Sequence, residues 1–252
     1  KEITNYLKGD VLYLPSYRGE QTIAISSWLN KPVQQVQSGA SVTLIKAIAK
    51  QRSCKTEEEL VQIDKACTVT SRMHRAVMMG TKEGMYEYEA CAIAQKLMWD
   101  YHSQNAFLPI VTINGNVLHN HVHANKLTSG KMLLFDSGTE LPNGYCGDMT
   151  RTIPVDKTFT AKQREIYNVV HASYSKAVSL LQPGVQYREV HLAACTVIAE
   201  GLKQIGLMKG DVDEAVAAGA HAMFFQCGLG HMMGLDVHDM ENLGEPYIGY
   251  TE

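Results

Sequence analysis

The sequence predicts an α/β (α+β) fold with pseudo-two-fold symmetry, and three observations carry that reading. Two Thr-led capping boxes, Thr56-x-x-Glu59 and Thr160-x-x-Gln163, lie 104 positions apart, and each opens a long helical pattern. In both halves a second helix and then a strand candidate follow, and both strands lead to a histidine, His119 and His231. Between the halves stands a β-hairpin signal: an apolar run, the turn Pro142-Asn143-Gly144, and a second run from Tyr145 to Val155. The order of elements repeats while the residues do not, so the repeat is one of architecture.

Each element has its own signal. Residues 1–54 read as short α/β material, with strands at Val11–Leu14 and Thr22–Ile25 and a helix at Val42–Ala49. A piece of that size is marginal as a domain, so it reads as the tail of a larger N-terminal domain. After Thr56, the residues Leu60, Ile63, Cys67, Thr70, His74 and Val77 recur at helical spacing and predict a helix over 57–79 that stops near Gly80. A second helix is predicted over about 86–101, and Phe107–Ile113 reads as a strand ending at Asn114-Gly115. In the second half a helix runs to about Leu181, closed by Pro183-Gly184. Another runs from Glu189 to Ile205, ended by Gly206, and Ala222–Phe225 reads as a strand.

The composition excludes several classes. With 45% hydrophobic and 19% charged residues among 252, the chain is no disordered, collagen-like or coiled-coil protein. Twenty-three basic against 26 acidic side chains give a net charge of -3, which supplies no drive toward nucleic acid or an anionic membrane. No apolar run approaches the ~18 residues of a bilayer span, and no signal-peptide core follows Lys1-Glu2-Ile3. The six cysteines are dispersed without a C-x-x-C pair, so neither a zinc knuckle nor a dithiol motif can be read from their spacing, and they read as reduced, mostly buried thiols of a cytoplasmic protein. The twelve methionines read as core filler.

The chemistry concentrates at three places. Asp136 and Asp148 stand six residues on either side of Pro142, so a hairpin centred there sets them directly opposite, Cβ atoms about 4.5–5.5 Å apart. Opposed carboxylates repel unless a cation lies between them or one takes up a proton, which points to a metal site or a carboxylate dyad. The other reading, one Asp capping the turn and one facing solvent, is weakened because Asp136 ends the apolar run Met132–Phe135. The second place is Gly228–Asp239, with His231 and His238 seven residues apart. On a regular strand they would face opposite ways, so joint use needs a bend, which Gly234 can supply. The third is His119, His121 and His123, which alternation sets on one face; the surrounding turn residues favour a solvated loop over a metal run. Arg151 reads as structural.

Taken together, Asp136-Ser-Gly138, Gly147-Asp148-Met-Thr-Arg-Thr152, Gly230-His231 and Asp236-Val-His-Asp239 resemble the motifs of the Xaa-Pro metallopeptidases of the pita-bread fold, most closely the aminopeptidase P branch. The resemblance covers roughly residues 52 to 244 and reaches connecting segments such as Gln163–Tyr167 and Lys209–Glu214. It implies that residues 1–54 are the C-terminal part of a creatinase-like N-terminal domain and 55–252 a pita-bread catalytic domain truncated at its C-terminus. It further implies a dinuclear centre in which Asp136, Asp148 and His231 are three of five protein ligands, the other two being glutamates expected beyond Glu252. Glu241 and Glu245 fall too close behind His238 to be those glutamates. Two Mn2+ ions are the expected cofactor, with Co2+ or Zn2+ as options, held weakly or not at all by the truncated chain, whose segment after about His238 is expected to be poorly ordered.

By the same resemblance, His238 hydrogen-bonds the scissile carbonyl and its tetrahedral product, His119 lines the substrate site, and the substrate is a peptide with proline in second position. A homodimer or homotetramer is the implied assembly. Cys227 stands where the family has a histidine and reads as a buried, inert thiol. Prolidase, which accepts only dipeptides, shares the metal motifs. Methionine aminopeptidase shares the fold but matches the Gly147–Thr152 and Asp236–Asp239 motifs less well. A non-catalytic pita-bread protein that binds a partner is the reading from another class.

Overall fold

The computed structural model describes residues 3–250. The N-terminal segment is helical, with α1 at Gly19–Leu29, α2 at Val33–Val36 and α3 at Val42–Ser53. This corrects the expectation of strands: Thr22–Ile25 lies inside α1, and Val11–Leu14 is irregular. A strand needs a neighbour, and no strand forms among the described residues before Gln104, so the amides of this segment are satisfied within helical turns instead. Ser41 caps α3 by accepting from the Leu44 amide at 3.2 Å.

The two capping boxes do what their residues dictate. The Thr56 hydroxyl accepts from the Glu59 amide while the Glu59 carboxylate accepts from the Thr56 amide, opening α4 at Glu57–Gly80. α4 packs on α5, Glu87–Asp100. Then come β1 (Gln104–Asn105), β2 (Ile110–Thr112), β3 (Met132–Ser137), β4 (Thr139–Glu140) and β5 (Met149–Pro154). β2, β3 and β5 form an antiparallel sheet with β3 central, and β1 pairs with β4.

Alternation along β3 divides its side chains. Leu133 and Phe135 join Val111 in a core with Val69, Met73 and Val77 of α4 and Ala90, Ala94 and Met98 of α5. Met132, Leu134 and Asp136 take the other, half-buried face. The helix pair therefore seals one face of the sheet and leaves the other for Asp136. Within the seal lies His74, 2% exposed and 4.5 Å from the Phe135 ring centroid. Its Nδ1 faces the Thr70 carbonyl at 3.0 Å and so carries the hydrogen, while Nε2 has no partner. Burial holds this histidine below its ordinary pKa, in the neutral form.

After β5 the helix pair is repeated: Thr160 and Gln163 cap α6, Ala161–Leu180, which packs on α7, Tyr187–Gln204, and Asp211 caps the short α8, Val212–Ala217. The expected strand at Ala222–Phe225 is absent; a 3-10 turn spans Ala220–Met223, and the Phe224 and Phe225 amides both donate to the His221 carbonyl. No strand follows β5 among the described residues, so this segment has no ladder to join. No helix among them is long and apolar enough to cross a membrane.

Among the described residues, 239–250 fold onto the N-terminal helices, where poor order was expected. Met240, Leu243 and Ile248 bury against Ile45 and Ala49 of α3. An ion cluster completes the joint. Asp239, 1% exposed, is flanked by Arg52 and by Lys55 Nζ at 2.7 Å, and Arg52 also reaches Asp236 at 2.9 Å.

Two outcomes follow. Asp239→Ala leaves two cations facing each other beside a buried void, so chemical denaturation should show a loss at the lower end of ~3–5 kcal/mol, because Arg52 and Lys55 keep some solvent contact. A loss under about 0.5 kcal/mol, the ordinary scatter of surface substitutions, would remove the cluster from the account. For His74, the unfolded chain takes up a proton near pH 6.5 and the folded chain resists it, so stability is full above about pH 6.5 and falls as the pH drops toward the lowered native value. His74→Met should flatten that part of a melting-temperature profile between about pH 5 and 7; an unchanged slope would assign it to other groups.

Candidate metal centre

The strand ends that carry Asp136 and Asp148 are pressed onto α4. A Cβ on Gly138 would lie 2.1 Å from the Gly147 carbonyl oxygen, and one on Gly147 would lie 2.7 Å from Thr70 Oγ1 and 2.8 Å from the Ala66 backbone. Only glycine permits these approaches. The Gly147 amide donates to the Thr139 carbonyl at 2.8 Å, and the Thr139 amide to Thr70 Oγ1 at 3.1 Å. The two aspartates thus sit next to backbone that cannot drift.

Their relative placement differs from direct opposition. The turn closes with the Leu141 amide on the Tyr145 carbonyl at 2.9 Å and is centred on Asn143, so Asp136 faces Thr150 across the ladder. Asp148, two places before Thr150, is the diagonal neighbour, a relation whose usual spacing is ~7–8 Å. A one-residue error in the turn centre moves every partner by two. The like charges still act on each other: burial raises the Asp136 pKa and the charge of Asp148 adds to this, while a hydrogen bond from Thr150 and the charges of His119 and His231 pull it back.

His231 closes on Asp148 from the other half of the chain. Its Nδ1 stands 2.9 Å from the Met232 carbonyl, which only accepts, so Nδ1 carries a hydrogen. Its Nε2 stands 3.1 Å from Asp148 Oδ2. A bare nitrogen lone pair and a carboxylate oxygen do not approach so closely, so a cation belongs between them, either a proton or a metal ion. The bond to Asp148 is the main reason the His231 pKa is raised, against the opposing effect of burial. The donor set fits a metal as well: Nδ1–H held by a carbonyl leaves Nε2 as the ligand atom. Cis ligands of an octahedral ion ~2.1 Å away stand ~3.0 Å apart, close to the spacing found.

His238 is brought to His231 by a bend at Gly234. The Gly234 amide donates to the Asp236 carbonyl at 3.0 Å, the Asp239 amide to the Met232 carbonyl at 2.9 Å, and a Cβ on Gly234 would meet Asp239 Oδ2 at 2.6 Å. The two imidazoles stack with centroids 3.9 Å apart and planes 12° apart. His238 Nδ1 lies 2.8 Å from Glu241 Oε2, and the exposed edge of the ring lines a cleft of about 880 Å³ together with Glu140, Cys146 and Asp236. Burial and the surrounding carboxylates push the Cys146 thiol up to about 12, so it stays protonated.

His119 stands exposed on the loop between β2 and β3 in the left-handed region, φ 51°. Its reach to the site is through charge on Asp136. That loop is less free than the sequence implied. Glu87, fully buried, accepts from the Ile113 amide at 2.7 Å, the Asn125 amide at 3.0 Å and Asn125 Nδ2 at 2.9 Å. His123 Nε2 and His121 Nδ1 both face the Pro109 carbonyl, at 3.0 and 3.4 Å, which tethers the loop although His121 stays exposed. Sequence reasoning missed Glu87, Asp239 and the orienting role of Glu241. The first is one of two acids in the first turn of α5, and only its burial marks it.

The thiols also differ from expectation. All six cysteines are unpaired, but only Cys146 and Cys195 are buried; Cys227 is exposed, because the irregular segment carrying it has no strand neighbour to cover it.

Comparison with known proteins places the chain in a family. The profile of metallopeptidase family M24 matches residues 61–252. The Xaa-Pro aminopeptidase of Escherichia coli (strain K12) is 35% identical over 200 residues, covering 77% of this chain and 44% of that protein. A probable Xaa-Pro aminopeptidase of Metarhizium robertsii is 32% identical over 245 residues, covering 94% of this chain and 53% of that one. The chain thus spans about half the length of such relatives. An Asp→Ala variant of E. coli aminopeptidase P superposes with a TM-score of 0.84 at 29% identity, covering 100% of this chain and 59% of that one. A Glu→Ala variant of the same enzyme, solved with substrate, gives 0.82 at 31% identity, covering 94% and 56%. The fold is the pita-bread fold of those structures, and the chain belongs to metallopeptidase family M24.

Proposed function

We propose that the protein is an Xaa-Pro aminopeptidase, hydrolysing the bond between an N-terminal residue and a following proline at a dinuclear metal centre to which Asp136, Asp148 and His231 contribute. The observation that carries this is the approach of His231 Nε2 to Asp148 Oδ2, which requires a cation, beside a second carboxylate on the neighbouring strand. An oxygen-rich set with one imidazole suits Mn2+, with Co2+ and Zn2+ as competitors. Bound there, divalent ions supply Lewis acidity and lower the pKa of water.

The chain's own residues do the rest. Asp136 and Asp148 bring the negative charge that holds cations, and the Met232 carbonyl fixes the His231 ring so that Nε2 points at them. His238 donates to the scissile carbonyl. The Glu241 carboxylate, 2.8 Å from His238 Nδ1, fixes the orientation of the ring. His119 lines the substrate side, on a loop that Glu87 holds. A prolyl bond has no N–H and a fixed φ, so a site shaped for the ring selects it without a backbone donor contact. Residues 1–54 belong in this reading to a creatinase-like N-terminal domain and 55–252 to the catalytic one. Unpaired thiols suit a reducing cytoplasm.

The test is turnover of an Xaa-Pro tripeptide and an Xaa-Pro dipeptide by the intact protein with Mn2+. Cleavage of the tripeptide, abolished by chelation, is expected; cleavage of the dipeptide alone would make the enzyme a prolidase. His238→Ala should lower kcat by ~10²-fold or more while bound metal stays constant. Loss of metal in that variant, with normal turnover once metal is restored, would reverse its role. Asp148→Asn and His231→Ala should instead lose metal, measured by elemental analysis, and retention of full metal content by both would remove them from the ligand set.

A further inference from the structure

Away from the carboxylate face, α7 and the 3-10 turn that follows α8 bring together a second set of ligand groups. His191 and Cys195 stand one helical turn apart on the same face of α7, and His221 sits in the Ala220–Met223 turn. One ligand atom from each lies within 4.8 Å of the other two. Cys195 is fully buried and His221 is 9% exposed. Nδ1 of His191 and Nδ1 of His221 are both buried without a hydrogen-bond partner. The His221 Nδ1, unsatisfied beside a buried thiol, is costly unless something binds it.

We propose that His191, Cys195 and His221 form a second metal site, selective for a borderline-soft ion of the zinc type and separate from the family centre. The pair geometry fits. Zn–N of about 2.0–2.1 Å and Zn–S of about 2.3 Å at a tetrahedral angle put N and S about 3.5 Å apart, and His191 Nε2 stands 3.5 Å from Cys195 Sγ. His221, on the four-residue turn, supplies the third corner, its ligand atom within 4.8 Å of the other two. The half-exposed His191 gives the ion its entry, and the Phe225 ring, 5.5 Å from the His191 ring, shields the site.

Binding here is coupled to proton release. Burial and the neighbouring His221 hold His191 below its ordinary pKa, so it is a neutral ligand, and burial raises the Cys195 thiol, so binding releases its proton to solvent. Water takes the fourth position. Thiolate and imidazole prefer zinc, while the carboxylate face prefers Mn2+, so the two sites divide the ions between them. An ion here ties α7 to the segment leading into Gly228–His231.

Co2+ and Zn2+ are the probes. Added to the intact protein, Co2+ should give a near-ultraviolet thiolate-to-cobalt charge-transfer band with tetrahedral d–d bands. Cys195→Ser should abolish the charge-transfer band, and Asp148→Asn should leave it. Zn2+ should displace the cobalt and excess Mn2+ should not. Since Cys195 is buried and its variant could fail to fold, His191→Ala and His221→Ala are measured beside it. Each should weaken Zn2+ binding by more than the ~10–100-fold that changes around a ligand typically cost. No charge-transfer band in the native protein, a band that survives in folded Cys195→Ser, or unchanged Zn2+ affinity in both histidine variants would overturn the proposal.

Discussion

The His231 imidazole, carried by an irregular segment, stands 3.1 Å from Asp148, and Asp136 on the adjacent strand is the diagonal neighbour of that carboxylate. Most of the surrounding structure serves to hold that arrangement. The core behind Leu133 and Phe135 fixes the plane of the sheet, the glycine contacts on α4 fix the strand ends, and the Met232 carbonyl fixes the histidine. Each removes a freedom by which the groups could move apart and relieve their repulsion.

The second half of the chain contributes by folding back. His231 and His238 come from a segment with no regular structure, held by a bend at Gly234, by the amide of Cys146 on the Gly234 carbonyl, and by the Asp239 cluster with Arg52 and Lys55. The residues that place His238 are therefore spread over the N-terminal helices, the hairpin and the loop itself. Irregular backbone can carry chemistry only where such ties replace the ladder hydrogen bonds it lacks.

Much of this was legible in the sequence, and the exceptions have physical reasons. Capping boxes at Thr56 and Thr160 name their own helix starts because both partners are local. The pairing of Asp136 was misplaced by two because register depends on which residue centres the turn, and Pro142 and Asn143 are both good turn residues. Thr22–Ile25 and Ala222–Phe225 carry strand-like residues, but strands need neighbours that composition cannot supply. Glu87 and Asp239 look like ordinary surface acids until burial shows that one clamps a loop and the other joins two segments.

The central claim is that the cation between His231 and Asp148 is a metal ion shared with Asp136. Anomalous diffraction at the manganese edge, on crystals of the protein grown with Mn2+, tests it most directly. The account predicts a peak ~2.0–2.3 Å from His231 Nε2 and an Asp148 oxygen, with Asp136 coordinating within the same cluster. Manganese bound elsewhere, or no peak there with His231 Nε2 still hydrogen-bonded to Asp148, would contradict it.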